Sequence, residues 1–312
     1  MRLTTRLAAP AALAAVLALA TAGCASPAAA PARVNGTVVI DAVGAENQYA
    51  SVLSQIGGRY VHVTSVLDNP STDPHTFEAS PQVASEVANA QLIVQNGLGY
   101  DTWIAKMESA SLSRGRKVIV AQHVLGLPDS TPNPHLWYDP ATMPAVARMI
   151  AASLSALRPA RAAYFRANLA AFDRLLQPWR HAIAAFRAAH PGITAATTEP
   201  VADYLLTAMG IRNLTSFSFQ ADIMNGVDPA PEDIALENSF VSQHRVRLFA
   251  YNEQVTSALT ASVRQNAQQA GVPVVAVYET MPVPGYSYQS WMLAEVNAIQ
   301  RAVTSKISTE KL

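Results

Sequence analysis

The chain has 312 residues, 22 of them basic and 22 acidic, and half are apolar, which suits one large or two medium domains with a sizeable core. The absence of net charge excludes a surface built to hold nucleic acid or anionic lipid by long-range electrostatics. With one cysteine, Cys24, the chain has no intramolecular disulfide.

Arg2 and Arg6 precede an apolar run over residues 7–20, the pattern of an export signal and too short for a convincing membrane span. "TAGCAS" then places Cys24 where a signal similar to that of bacterial lipoproteins carries its lipidated cysteine. Residues 1–23 are therefore expected to be a signal peptide, with Cys24 anchoring the chain to the outer face of the cell membrane. Secretion with an incidental cysteine is the plainer alternative. "ASPAAAPAR" reads as a flexible tether, so that 24–34 link the anchor to the folded chain.

The next segments alternate. "GTVVIDAVGA" (36–45) is a β-branched run ended by glycine, "QYASVLSQIGG" (48–58) has helical spacing before a Gly-Gly stop, and "YVHVTSVL" (60–67) is a second strand. A helix over 82–90 and strands over 91–98 and 116–122 follow. This alternation predicts an α/β lobe with a mostly parallel sheet and flanking helices, spanning 35–158.

From 144 to 190 the strand signal disappears. A break at Arg158-Pro159 separates two helical stretches, and Pro159 suits the first turn of the second. Over 159–190 a continuous helix would span roughly 45 Å, long for one domain, so this segment is expected to bridge two lobes. Pro178 should kink or split it. The alternation then resumes with strand 193–198, helix 200–210, strand 247–252, helix 257–271, strand 272–279 and a closing helix over 288–303. These define a second α/β lobe, 191–312.

Two histidines sit in similar turns, His75 in "STDPHTFEASP" and His135 in "NPHLWYDP", and two glutamates, Glu199 and Glu279, end predicted strands of the second lobe. Ligands of open α/β sheets bind at the carboxyl ends of strands, so each lobe offers two donors to one cleft. Two imidazoles and two carboxylates suit Zn²⁺ or Mn²⁺. Pro74 and Pro134 stiffen the backbone before each histidine. Taken singly, each residue has a plainer reading: a solvated histidine in a turn, or Glu199 as an acid favoured at a helix N-terminus. Glu253, in "AYNEQV", also follows a strand, and position alone does not separate it from Glu279. His62, His123, His181, His190 and His244 read as packed or solvated residues. "NGLGYDTW" lacks the spacing of a dinucleotide site. Trp137, Tyr138, Tyr286 and Tyr288 are candidates for the cleft wall, with a core role as the default.

"DPHTFEASP", "NPHLWYDP", "TEPVADYLLTAMGI" and "GVPVVAVYETM" resemble, in that order, the metal-site segments of the zinc/manganese-type (cluster A-I) substrate-binding lipoproteins of ABC importers. The resemblance covers nearly the whole chain after the tether. It implies two α/β lobes bridged by a helix, one Zn²⁺ or Mn²⁺ as cargo, and a membrane permease as partner, with no nucleic acid and a monomeric chain. It matches His75 and His135 to the family's first two histidine ligands and favours Glu279 over Glu253. Glu199 stands where many members have histidine, and Glu279 where many have aspartate. The segment 123–135 is short and lacks a histidine run, and the metal stays open between zinc and manganese. An exported zinc hydrolase is the enzyme-class alternative, but no H-E-x-x-H motif is present. A surface adhesin or structural lipoprotein is the other.

Overall fold

The computed structural model describes residues 33–34, 37–70, 72, 77–111, 113, 115–282 and 285–312. The expected signal peptide, Cys24, most of the tether and His75 lie outside the described residues. A short antiparallel pair, β1 (Arg33–Val34) and β2 (Thr37–Val38), leads into β3 (Ile40–Glu46). There follow α1 (Asn47–Gly57), β4 (Val61–Leu67), α2 (Pro81–Asn89), β5 (Leu92–Gln95), α3 (Thr102–Ala110), β6 (Lys117–Val120), α4 (Ala121–Val124) and α5 (Thr142–Leu157). The strands β3 to β6 form one sheet, in the order β4-β3-β5-β6, with every pair parallel.

The bridge is α6 (Ala162–Leu175) and α7 (Gln177–Ala189), which meet at Leu176. Pro178 lies in the first turn of α7, where its missing N–H costs least. The bridging helix expected over 159–190, kinked or split at Pro178, is a 3₁₀ turn (Pro159–Arg161) and two helices. Beyond it come β7 (Thr194–Thr197), α8 (Asp203–Ala208), β8 (Arg212–Asn213), α9 (Phe217–Met224), α10 (Pro231–Ser242), β9 (Leu248–Asn252), α11 (Ala258–Gln269), β10 (Val274–Val277) and α12 (Tyr288–Ser305). Their sheet is also wholly parallel, in the order β10-β9-β7-β8. The helix expected over 200–210 is only α8, because the chain makes a turn at Pro200–Ala202 before it winds. The elements α3, β8, α9 and α10 were not apparent in the sequence.

Side-chain alternation divides each sheet between two cores. In the first sheet Ile40, Ala42, Leu92 and Val94 face a central core, while Val43, Ala45 and Ile93 pack outward with Val87 and Ile104 of α2 and α3. In the second, Leu248 and Ala250 face the same central core, while Phe249 and Tyr251 pack outward with Phe240 and Val263 of α10 and α11. The two lobes therefore share one interior, which also holds Trp137, Tyr138, Trp179, Tyr288 and Trp291. The bridge follows the same division: α6 packs on α1 and α5, and α7 packs on α12.

Both sheets reverse strand order once, between β3 and β5 and between β7 and β9. These are the crevices where open α/β sheets bind ligands. The first depends on a close approach at Gly44 of β3, where a Cβ would lie within 2.6 Å of the Ala50 Cα on α1. Gly44→Ala is expected to force α1 off the sheet and to cost about 1–3 kcal/mol. Denaturant titration of the metal-free protein would show it, and an unchanged midpoint would contradict this packing.

Candidate metal centre

His135 follows Pro134 and opens the 3₁₀ turn Leu136–Tyr138. Its backbone N–H donates to Asn133 Oδ1 at 3.0 Å, and its ring Nδ1 lies 2.8 Å from the same oxygen. Asn133 is oriented by its own amide, which donates to Pro200 O at 2.8 Å, so Oδ1 faces the imidazole as an acceptor. The ring proton is thereby placed on Nδ1, and the Nε2 lone pair points into the cleft. Asn96 fixes the turn from below by donating to Pro134 O, with its Oδ1 accepting from Tyr49. Tyr100 and Trp137 pack edge-on against the imidazole, with ring centroids 5.9 and 5.4 Å away.

Glu199 lies just beyond β7 and Glu279 just beyond β10, and both are buried, at 1% and 0% exposure. Glu279 is the more heavily fixed. Its N–H donates to Gln254 Oε1 and its carbonyl accepts from Gln48. Its Oε1 accepts from Asn252 Nδ2 at 2.8 Å and its Oε2 accepts from the Tyr100 hydroxyl at 2.9 Å. Oε2 also lies 3.6 Å from His135 Nε2. Glu199 Oε1 accepts from the same Asn252 nitrogen at 3.0 Å. Burial, with the Glu279 carboxylate second, holds the Tyr100 phenol well above its ordinary range, so it remains a donor.

The structure thus brings His135, Glu199 and Glu279 together between the two sheets, linked through Asn252 and Tyr100. Among the described residues no group of three or more His, Cys, Asp or Glu side chains is arranged to hold a metal ion, and His75 lies outside those residues. Glu253 points elsewhere, 3.7 Å from Arg264. Trp137, Tyr138 and Tyr288 are core residues, whereas Tyr286 lines a cavity of about 390 Å³ beside α1 and β4. His62, half exposed on β4, lies 3.4 Å from Asp41. Sequence reasoning missed Asn252, Gln254, Asn133 and Tyr100. Asn252 ends a strand as visibly as the glutamates do, and the strand-end argument applied to amides would have found it.

Other buried acids surround this centre. In the first lobe burial, with Asp101 adding to it, raises the Glu46 carboxyl well above its ordinary range, and burial pushes Asp101 up to about 6. Glu295 of α12 accepts from Trp291 Nε1 at 3.0 Å and from the Tyr138 hydroxyl at 3.1 Å. Glu237 of α10 accepts from Thr215 at 3.1 Å. Burial pushes both up to about 8.

Two parallel-sheet lobes with a helical bridge, and histidine and carboxylate side chains meeting between them, fit a solute-binding protein of the metal-receptor class. Residues 43–302 match the family model "ZnuA: Zinc-uptake complex component A periplasmic", and the chain belongs to this family. It is accordingly a component of solute uptake and not an enzyme. A "Putative metal-binding protein" of Treponema pallidum is 25% identical over 302 residues, covering 89% of this chain and 92% of its own. The manganese-binding lipoprotein MntA of Bacillus subtilis is 27% identical over 140 residues, covering 42% of this chain and 44% of its own. The solved structure of the periplasmic zinc-binding protein TroA of Treponema pallidum shares the fold with a TM-score of 0.71 at 18% identity, over 85% of this chain and 98% of that one.

The raised acids make stability pH-dependent with a definite sign. Glu237 and Glu295 hold their protons more tightly folded than unfolded, so their contribution is fully favourable below about 4.5 and is lost as pH rises to about 8. Glu295→Gln, which is neutral throughout, is expected to flatten the fall in unfolding temperature of the metal-free protein between about pH 5 and 8. Parallel pH profiles for the two proteins, measured by calorimetry, would contradict the assignment.

Proposed function

We propose that the chain captures one divalent transition metal, Zn²⁺ or Mn²⁺, between its lobes and delivers it to the membrane permease of an ABC importer. His75, His135, Glu199 and Glu279 are the ligands. The observation that carries this reading is the convergence of His135 Nε2 with two buried carboxylates at the crevices of both sheets. Imidazole nitrogen and carboxylate oxygen together suit both metals. The names of the relatives point the same way, one being manganese-binding and another zinc-binding. Cys24 would tether the receptor as a lipoprotein at the outer face of the membrane, beside the permease, with the chain acting as a monomer.

Competitive titration of the metal-free protein with Zn²⁺ and Mn²⁺, followed by elemental analysis, is expected to give one ion per chain. His75→Ala and His135→Ala each remove a ligand, and each should weaken binding by more than the roughly 10- to 100-fold that loss of an outer-shell partner brings. Affinity should also fall as pH is lowered, since protons compete for the imidazoles. Stoichiometric binding that survives both substitutions would sink this reading.

A further inference from the structure

The second lobe is electrically one-sided. Strands β7 to β10 start, and helices α7, α8, α10, α11 and α12 end, at one edge of its sheet. The floor so formed exposes Arg187, Arg212, Arg245, Arg247 and Lys306. Backbone bonds hold the strand starts side by side, Arg212 N–H donating to Ile193 O and Arg247 N–H to Thr194 O, each at 2.9 Å. Arg247 and Lys306, with His244, also line a cavity of about 280 Å³. No Asp or Glu occurs in 174–198, 204–221, 239–252 or 296–309. Among the described residues none of the five cations lies within ion-pair distance of an acid. The first acid after Lys306 is Glu310, on the tail that runs up beside β10, where it accepts from Gln268 at 2.9 Å. The opposite edge carries the acids, since Glu199, Glu253 and Glu279 each follow the end of a strand.

Cations at helix C-termini have a plainer role, because each helix ends in a partial charge of about −0.5. Five helix ends supply about −2.5 against five full positive charges, so roughly half of the charge on the floor is uncompensated. The acids of the opposite edge do not cancel it. The five residues of β9 span about 16 Å, some two Debye lengths at physiological salt. Neutrality of the whole chain therefore removes attraction from a distance and leaves contact between the floor and an anionic surface favourable. The cations reach from Lys306, beside the start of β10, to Arg212 on β8 at the far edge of the sheet. Across four strands that is about 14 Å, wider than one phosphate and suited to a surface that presents many. We propose that this floor is a contact surface for anionic phospholipid, laying the second lobe on the membrane with the strand ends of Glu199 and Glu279 turned away from the lipid. The proposal rests on the membrane location given above and not on the metal ligands.

The test uses the full chain and an Arg212→Gln/Arg247→Gln/Lys306→Gln variant. A control, Arg148→Gln/Arg166→Gln/Arg174→Gln, loses the same charge from exposed positions of α5 and α6. The probes are vesicles of phosphatidylglycerol and of phosphatidylcholine, and the readout is the ratio of the two binding constants. Comparing that ratio between variants removes whatever the N-terminal residues contribute. A cation near an anionic surface is worth roughly fivefold, so the floor variant should lose about 100-fold in the ratio and the control much less. Equal losses in the two variants would overturn the proposal, as would an undiminished ratio in the floor variant. Tighter binding of the wild type to duplex DNA than to phosphatidylglycerol vesicles would overturn lipid as the partner. No metal enters the measurement, so a failed titration with Zn²⁺ and Mn²⁺ leaves the vesicle result standing, and a failed vesicle result leaves metal capture standing.

Discussion

Glu199 and Glu279 approach the same amide nitrogen of Asn252 with almost no exposure to water. A pair of buried carboxylates is costly unless hydrogen-bond donors or a cation stand close by, and the polar groups around these two meet that requirement. Asn252 supplies both of its amide hydrogens, Tyr100 supplies a hydroxyl from the other lobe, and Gln254 and Gln48 hold the Glu279 backbone at either end. Gln254 also donates to Pro70 O, in the segment that leads to His75. The carboxylates thus organise contacts from both sheets.

The remaining buried acids in this region are handled differently. Glu237 accepts from one side-chain donor and Glu295 from two, and burial pushes both up to about 8, so they stay largely neutral near pH 7. Asp101 accepts from the backbone N–H groups of Asn96 and Gly97, which oppose the effect of burial and leave it near 6. The contrast follows from the kind of donor facing each carboxyl: backbone N–H groups at Asp101, side-chain groups at Glu237 and Glu295. Glu237 and Glu295 therefore add little negative charge to the interior around them.

The sequence carried the parts of the fold in which local pattern and tertiary environment agree. Buried parallel strands such as "LFAYN" and "VVAV" are continuous apolar runs, and helices such as α12 combine an amphipathic stripe with a serine cap. Where they disagree, reading failed. α10 spreads its apolar residues around the helix because it packs on α11, α9 and β7 at once, although Pro231 and the acidic Glu232 and Asp233 mark its start. At the site, His135, Glu199 and Glu279 were visible because ligand-type side chains at strand ends and proline turns stand out. Asn252 and Tyr100 act by holding other side chains, and a residue's partner is written in the tertiary structure, not in its own neighbourhood along the chain.

The junction between lobes has two layers that resist separation to very different degrees. Below the site it is aromatic: Tyr138 packs on Trp291, and the Tyr288 hydroxyl, beside Trp179 of α7, donates to Trp137 O. A ring that buries about 150–250 Å² at about 25 cal/mol/Å² contributes roughly 4–6 kcal/mol. Exposing two of them would consume most of the roughly 5–15 kcal/mol that stabilises a folded protein. At the site the ties are hydrogen bonds, Asn133 to Pro200, Tyr204 to Asn133, Tyr100 to Glu279 and Gln254 to Pro70, each worth about 0.5–1.5 kcal/mol net. Any motion that admits or releases an ion is therefore cheapest where the polar ties are. The aromatic layer and the α6–α7 bridge, each half seated on its own lobe, hold the remainder of the junction closed.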